Sequence, residues 1–303
     1  MAYNLKSIKQ YFKQKGIFYT QPELAILLKS YVGFEPKEIY DPTCGDGALL
    51  NCFGDNVTKF GQEINEDQLE IARQRLVNFT GFCGDTLKNP AFLDKKFDCI
   101  LANPPFSIKW EPNINDVRFN QCPALPPQSK ADFAFLLHIL YYLSDNGIAV
   151  TLNFPGILYR GNKESIIRQW FVDNNFIERI VNIPPNTFVD TKISTVLIIL
   201  KKNKTNTDII FEDKQLKKER VVPIEEIKQN NYNLSTNIYI CEEKYKEKPD
   251  PVKLQNEARF NTKLKLINDI KVDLMVCEFE GLDKNKYLLE LKKIIDEFLD
   301  KEE

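Results

Sequence analysis

The sequence predicts an α/β fold built on a doubly wound, mostly parallel sheet, and three observations predict it. Between about residues 37 and 200, short apolar runs alternate with amphipathic stretches of helical period. Several of those runs are continuous rather than alternating, as expected of strands covered by helices on both faces. Glycines, acids and a Pro-Pro pair fall where the runs end, and ligands of such sheets bind at the carboxyl ends of the strands.

Taken in order, seven strands are expected, at 37–41, 57–63, 80–83, 97–102, 147–153, 177–183 and 194–200. Helices are expected between them at 48–53, 66–77, 130–143 and 163–173. Asn65 followed by Gln68 makes a capping-box-like start for the second helix, ahead of Leu69, Ile71, Ala72 and Leu76. Beyond Leu200 the alternation weakens. Residues 201–220 are charged and mixed, and read as a loop or hairpin with 207–211 as an edge strand. Residues 242–251 read as a linker rich in Glu, Lys and Pro. Residues 262–303 read as helical, with an apolar stripe of Leu288, Leu291, Ile295 and Leu299.

Composition excludes several classes. The chain has 303 residues, and 43% of them are hydrophobic, enough for a sizeable core. Its seven cysteines show no C-x-x-C spacing, and there is a single histidine, His138, so no metal site is expected. The odd, irregular cysteines argue for reduced thiols and a cytoplasmic setting rather than a disulfide framework. Residues 1–15 lack an apolar run, so no secretory signal is expected, and no stretch reaches the ~20 apolar residues of a membrane helix. The formal net charge is −2, which argues against strong DNA binding by the chain alone.

The strand ends carry the chemistry. Asp41-Pro42-Thr43-Cys44-Gly45-Asp46-Gly47 follows the first strand, and its glycines allow positive φ and close backbone approach to a ligand. It is not the G-x-G-x-x-G fingerprint of dinucleotide sites. A carboxylate at its start suits an amine-bearing ligand rather than a pyrophosphate. Glu63 ends the second strand, where an acid can accept from both ribose hydroxyls, and Ile64 beside it can pack on a flat base. Asp85, followed by Thr86, ends the third and can accept from an adenine amino group. Three such acids in order describe a site for an adenosine bearing an amino-acid group, S-adenosylmethionine.

The fourth strand ends in Asn103-Pro104-Pro105-Phe106. The prolines stop the strand, fix the loop and bias Asn103 to extended geometry. The Asn103 side-chain oxygen and the Pro104 carbonyl can then accept both hydrogens of an exocyclic amine and aim its lone pair at a sulfonium methyl. Phe106 can stack on a base that has left its duplex. Cys122-Pro123 lies in a proline-rich loop in the reverse order of a cytosine-C5 nucleophile, and His138 reads as a packed core residue.

These residues together resemble amino-group DNA methyltransferases, most closely the modification subunits of type I restriction–modification systems. Phe18-Tyr19-Thr20-Gln21-Pro22 is similar to that family's N-terminal cofactor motif, so Tyr19 and Thr20 join the expected cofactor set of Asp41, Pro42, Thr43, Gly45, Gly47, Glu63, Ile64, Asp85, Thr86 and Asn103. Further resemblance lies in Ala131-Asp132-Phe133-Ala134-Phe135, Leu158-Tyr159-Arg160-Gly161, residues 183–200, and Asn231-Tyr232-Asn233-Leu234-Ser235 with Tyr239. The likeness implies a Rossmann-like methyltransferase fold, N6 methylation of adenine in DNA, a catalytic domain over residues 1–240 and a linker and helical region over 241–303. It also implies a separate specificity subunit as partner, docked partly on the stripe from Leu288 to Leu299. Asp46 departs from the family's usual serine, and only about fifteen residues precede the cofactor motif where the family carries a helical domain. Two alternatives stand beside this reading: a protein-glutamine N5-methyltransferase, which also uses Asn-Pro-Pro before an aromatic, and a subunit that binds cofactor without turning over.

Overall fold

The computed structural model describes residues 20–185, 187, 194–240 and 251–299. The chain divides into two compact units, residues 1–242 and 243–303. The first unit runs α1 (Pro22–Ser30), β1 (Glu38–Asp41), β2 (Thr58–Glu63), α2 (Glu66–Arg75), β3 (Phe79–Cys83) and β4 (Phe97–Ala102). It continues with α3 (Asp132–Tyr142), β5 (Leu143–Asn153), α4 (Lys163–Asp173), β6 (Ile177–Ile183) and β7 (Thr195–Leu200). It closes with β8 (Ile209–Asp213), β9 (Lys218–Val222), α5 (Ile224–Gln229) and α6 (Thr236–Tyr239).

The strands form one sheet in the order β3-β2-β1-β4-β5-β7-β6-β8-β9. The half from β3 to β5 is parallel throughout, so β1 to β4 all end on the same side. Strand β7 runs antiparallel to both its neighbours, β5 and β6. Apolar clusters cover both faces: one includes Phe133, Leu137, Phe171 and Ile198, the other Leu28, Leu50, Leu69 and Leu197. Every residue of β7 is buried, which is why Thr-Val-Leu-Ile-Ile-Leu reads as an unbroken apolar run rather than an alternating one.

The sheet has nine strands rather than the expected seven. The strands beyond those seven form the β8–β9 hairpin: β8 overlaps the edge strand expected at 207–211 but pairs parallel to β6, and β9 takes the edge instead. Strand β8 alternates in burial, and β9 exposes its first four residues, so neither carries the continuous apolar signature of the central strands. The helix expected at 48–53 is a single 3-10 turn, Leu50–Cys52. It lies between Gly47, held at φ +82°, and Gly54, too short a span for a helical ladder. Helix α2 begins as expected: Asn65 Oδ1 accepts from the Asp67 and Gln68 N–H groups.

The second unit holds α7 (Pro251–Phe279) and α8 (Lys284–Leu299), joined through Gly281 at φ +69°. The expected single helix therefore starts earlier, with proline at its first position, and breaks once. Leu288 and Ile295 of the apolar stripe are exposed. No helix among the described residues is long and apolar enough to cross a membrane.

Candidate active site

The carboxyl ends of β1, β2, β3 and β4 enclose a cavity of about 180 Å³. Its wall includes Pro42, Thr43, Gly45 and Asp46 after β1, Glu63, Ile64 and Asn65 after β2, Gly84, Asp85, Thr86 and Leu87 after β3, and Asn103 and Pro105 after β4. Glu63 organises the first two loops. Its Oε2 accepts from the Gly45 N–H at 2.9 Å and its Oε1 from the Asn65 N–H at 2.9 Å. A carboxylate has about four lone-pair sites, so roughly two remain for ligand hydroxyls. Asp85 Oδ1 accepts from the Leu87 and Lys88 N–H groups, while its Oδ2 has no hydrogen-bond partner among the described residues. The Thr86 hydroxyl donates to the Pro42 carbonyl, tying the third loop to the first.

Glycine is required beneath this wall. A Cβ at Gly47 would lie 2.7 Å from Leu76 Cδ1, and one at Gly61 would lie 2.7 Å from Cys44 Sγ. Asp41 sits under the first loop, 1% exposed, with Oδ1 accepting from the Thr43 N–H at 2.9 Å. Burial pushes its carboxyl up to about 8, and the charge of Glu63 adds to the rise. Asp46 is paired with Arg75 at 2.8 Å, which neutralises its charge. The remaining wall acids, Glu63 and Asp85, favour a cationic ligand.

At the fourth loop, Asn103 Nδ2 donates to Thr20 Oγ1 at 3.2 Å. Among the described residues, nothing donates to Asn103 Oδ1 or to the Pro104 carbonyl. Phe106 is half-buried and packs against the apolar cluster below the sheet.

The whole arrangement has relatives. Residues 3–220 match the N-6 DNA Methylase family. This chain belongs to the N-6 DNA methylase family. It is 31% identical over 345 residues to the type I restriction enzyme MpnII methylase subunit of Mycoplasma pneumoniae, covering 90% of this chain and 62% of that one. It is 27% identical to the MjaVII methylase subunit of Methanocaldococcus jannaschii, covering 78% and 51%. Among solved structures, the type I restriction-modification methyltransferase subunit from Streptococcus thermophilus superposes with a TM-score of 0.66 at 33% identity, covering 72% of this chain and 58% of that one. The chain thus spans between half and two thirds of the length of these methylases. The fold is the α/β methyltransferase fold that the sequence predicts.

In this member of the family, the expected site residues divide into three groups. Pro42, Thr43, Gly45, Glu63, Ile64, Asp85, Thr86, Asn103 and Pro105 line the cavity. Thr20, Asp41, Gly47, Pro104 and Phe106 stand behind or beside it: Thr20 holds Asn103, Asp41 and Gly47 shape the first loop, and Pro104 is buried. Tyr19 lies outside the described residues.

Sequence reasoning missed Gln68, Ile108, Lys109, Trp110 and Phe135, which complete the wall. It also missed a buried network behind the third loop. The Arg118 side chain is 0% exposed and pairs with Asp116 at 2.6 Å. It donates to the Thr86 and Leu87 carbonyls and to His138 Nδ1. Since Nδ1 accepts, the His138 proton sits on Nε2, where it faces Tyr40 Oη at 3.1 Å. Burial and the Arg118 charge push His138 well below its usual range, so it stays neutral. The packed-core reading of His138 therefore gains a specific form. The Asp116-x-Arg118 spacing in an irregular loop gave no periodic signal that could have revealed it.

The basic segment 201–220 is largely committed internally. Lys204 donates to the Ile177 and Asp208 carbonyls, Lys202 to the Leu143 carbonyl, Lys214 pairs with Glu212, and Arg220 with Glu226.

Proposed function

We propose that this chain is the catalytic part of an S-adenosylmethionine-dependent DNA methyltransferase that methylates the N6 amine of adenine within a restriction–modification system. The observation that carries the reading is Asn103 on the wall of a cavity it shares with Glu63 and Asp85, its Oδ1 and the adjacent Pro104 carbonyl taking no donor among the described residues. When bound, the cofactor supplies an electrophilic methyl group on a sulfonium. Glu63 would accept from the ribose hydroxyls with the lone pairs left over from Gly45 and Asn65. Asp85 would accept from the adenine amine through Oδ2. Ile64 and Pro105 offer apolar surface to the adenine ring. Asn103 and Pro104 would accept the two hydrogens of the target amine, which leaves its lone pair free to attack. Such a step depends on positioning and electrostatics more than on a protein nucleophile.

The target base has to leave its duplex to reach Asn103, and Phe106 is the aromatic face available to it. The net charge of −2 and the internally paired lysines of 201–220 support a need for help with DNA. A specificity subunit is the partner proposed, with the helices of residues 251–299 as a docking region distinct from the catalytic domain of residues 1–240. The protein-glutamine alternative is disfavoured by the match to type I methylase subunits over most of the chain. The test is to incubate the chain with labelled S-adenosylmethionine and a random-sequence DNA pool, with and without a co-expressed specificity subunit. N6-methyladenine in digested DNA is the expected product. N4-methylcytosine alone, or label on release factors and not on DNA, would refute the reading.

A further inference from the structure

The segment Leu158-Tyr159-Arg160-Gly161 links β5 to α4. The structure places its arginine directly behind the loop that carries Asn103. Ser107 follows Phe106 immediately and is held at φ +51°. Its N–H donates to Asp132 Oδ1 at 3.2 Å and its hydroxyl to Asp132 Oδ2 at 3.4 Å. Arg160 Nη1 donates to the same Ser107 hydroxyl at 3.3 Å, and Nη2 lies 3.1 Å from Asp132 Oδ2. Glu164 Oε2 lies 3.0 Å from Nε, so the two carboxylates flank the guanidinium as ion pairs, without hydrogen-bond geometry at Nε or Nη2. Asp132 and Glu164 are 3% and 5% exposed, so the charges of this cluster depend on one another rather than on water.

The arginine is itself braced. Arg168 Nη1 donates to the Arg160 carbonyl at 2.9 Å. The missing side chain of Gly156 leaves room for it, since a Cβ there would lie 3.3 Å from Arg160 Nη1. The planar guanidinium donates to Ser107 while lying between the Asp132 and Glu164 charges, a shape that a point-charge ammonium does not reproduce. Positive φ at a serine persists only where surrounding contacts impose it. Here the imposed turn is the one that ends the Asn-Pro-Pro-Phe loop.

We propose that Arg160 is a positioning residue for methyl transfer: through Ser107 and Asp132 it fixes the loop that presents Asn103 Oδ1 and the Pro104 carbonyl to the target amine. It touches none of the cavity-lining acids, so it acts on turnover and not on cofactor affinity. The inference rests on the methyltransferase reading above.

The experiment compares Arg160→Ala, Arg160→Lys and Ser107→Ala with the unaltered full chain. Affinity for S-adenosylmethionine, kcat and KM on random-sequence DNA, and amide exchange of the peptide spanning residues 104–110 are measured together. In Arg160→Ala, kcat should fall about 100-fold, the scale of an ångström-level misplacement, with cofactor affinity unchanged. Exchange of the 104–110 peptide should quicken about tenfold, while β2 and β4 stay protected. Arg160→Lys should restore only part of kcat and only part of the slow exchange at 104–110. Ser107→Ala, which removes the hydroxyl that Arg160 and Asp132 share, should slow turnover about fivefold. Unchanged exchange at 104–110 in Arg160→Ala would overturn the proposal. So would exchange rising throughout the sheet together with lost cofactor affinity, because Arg160 would then be a general support of the fold. If the unaltered chain transfers no methyl group, that failure belongs to the methyltransferase reading, and the exchange comparison still decides the role of Arg160.

Discussion

Replacing Glu63 by alanine should remove cofactor binding more completely than any other single change in the cavity wall. The carboxylate now accepts two backbone N–H groups at 2.9 Å, from Gly45 and Asn65. Each bond to a charged acceptor contributes about 1.5–3 kcal/mol when one partner is charged, less where water can replace it. Glu63 is only half-buried, so about 2 kcal/mol of folding stability should be lost, or roughly 5 °C in Tm for a unit of this size. Binding should suffer more. Two ribose hydroxyls accepted by one carboxylate amount to about 3–6 kcal/mol. At 1.4 kcal/mol per tenfold, Kd for S-adenosylmethionine should weaken by at least about 100-fold. Titration calorimetry should find the same loss for S-adenosylhomocysteine, because the ribose is common to both. Glu63→Gln should fall between, since its amide nitrogen would face one of the two backbone donors. Wild-type affinity in Glu63→Ala, or a loss for one ligand and not the other, would refute the ribose assignment.

Four further outcomes follow from the same geometry. Asn103→Ala should abolish methyl transfer while leaving cofactor affinity intact, because it removes an acceptor for the amine; transfer rates equal to the parent chain would sink that role. With Asp41 pushed up to about 8, most of it is neutral at pH 7, and a cationic ligand should expel roughly 0.9 proton on binding, read by calorimetry in buffers of different ionisation heat. Because that value lies above the ordinary 3.8, the stability Asp41 lends the ligand-free chain is fully present below pH 3.8 and is lost as pH rises through 8, a loss that Asp41→Asn should remove from urea-unfolding profiles. Arg118→Ala should cost about 3–5 kcal/mol, because it strands the Asp116 carboxylate and the Thr86 and Leu87 carbonyls; a loss near zero would mean that the network relaxes without it.

The parallel half of the sheet was legible because its signals are local. Strands buried on both faces write themselves as apolar runs, and the turns that follow write themselves as Gly, Pro and acid. Residues such as Glu63 and Asp85 therefore landed on the wall from sequence alone. In the outlying hairpin only one strand was expected, at 207–211 near β8, which alternates in burial over five residues; β9 exposes its first four residues and carries no such pattern. The far wall of the cavity was not legible at all. Ile108, Lys109 and Trp110 belong to an irregular loop whose path is set by bonds such as Trp110 N–H to the Gln128 carbonyl, far along the chain. The Arg118 and Arg160 networks fall in the same class, since both join residues more than ten positions apart whose pairing no period announces.

The close seating of Cys44 against Gly61 has a consequence for thiol reagents. Its sulfur is wedged against a neighbouring strand and its thiol is pushed up by burial, so alkylating agents and mild oxidants should pass it by. Cys99 is buried as well, whereas Cys83 is exposed two positions before Asp85. A maleimide dye attached there, at a pH high enough to offset the upward push from Glu66, would sit next to Gly84 and Asp85 of the cavity wall. The cysteines of the parallel sheet thus sort themselves by reactivity, giving a reporter position without first stripping the buried thiols from the protein.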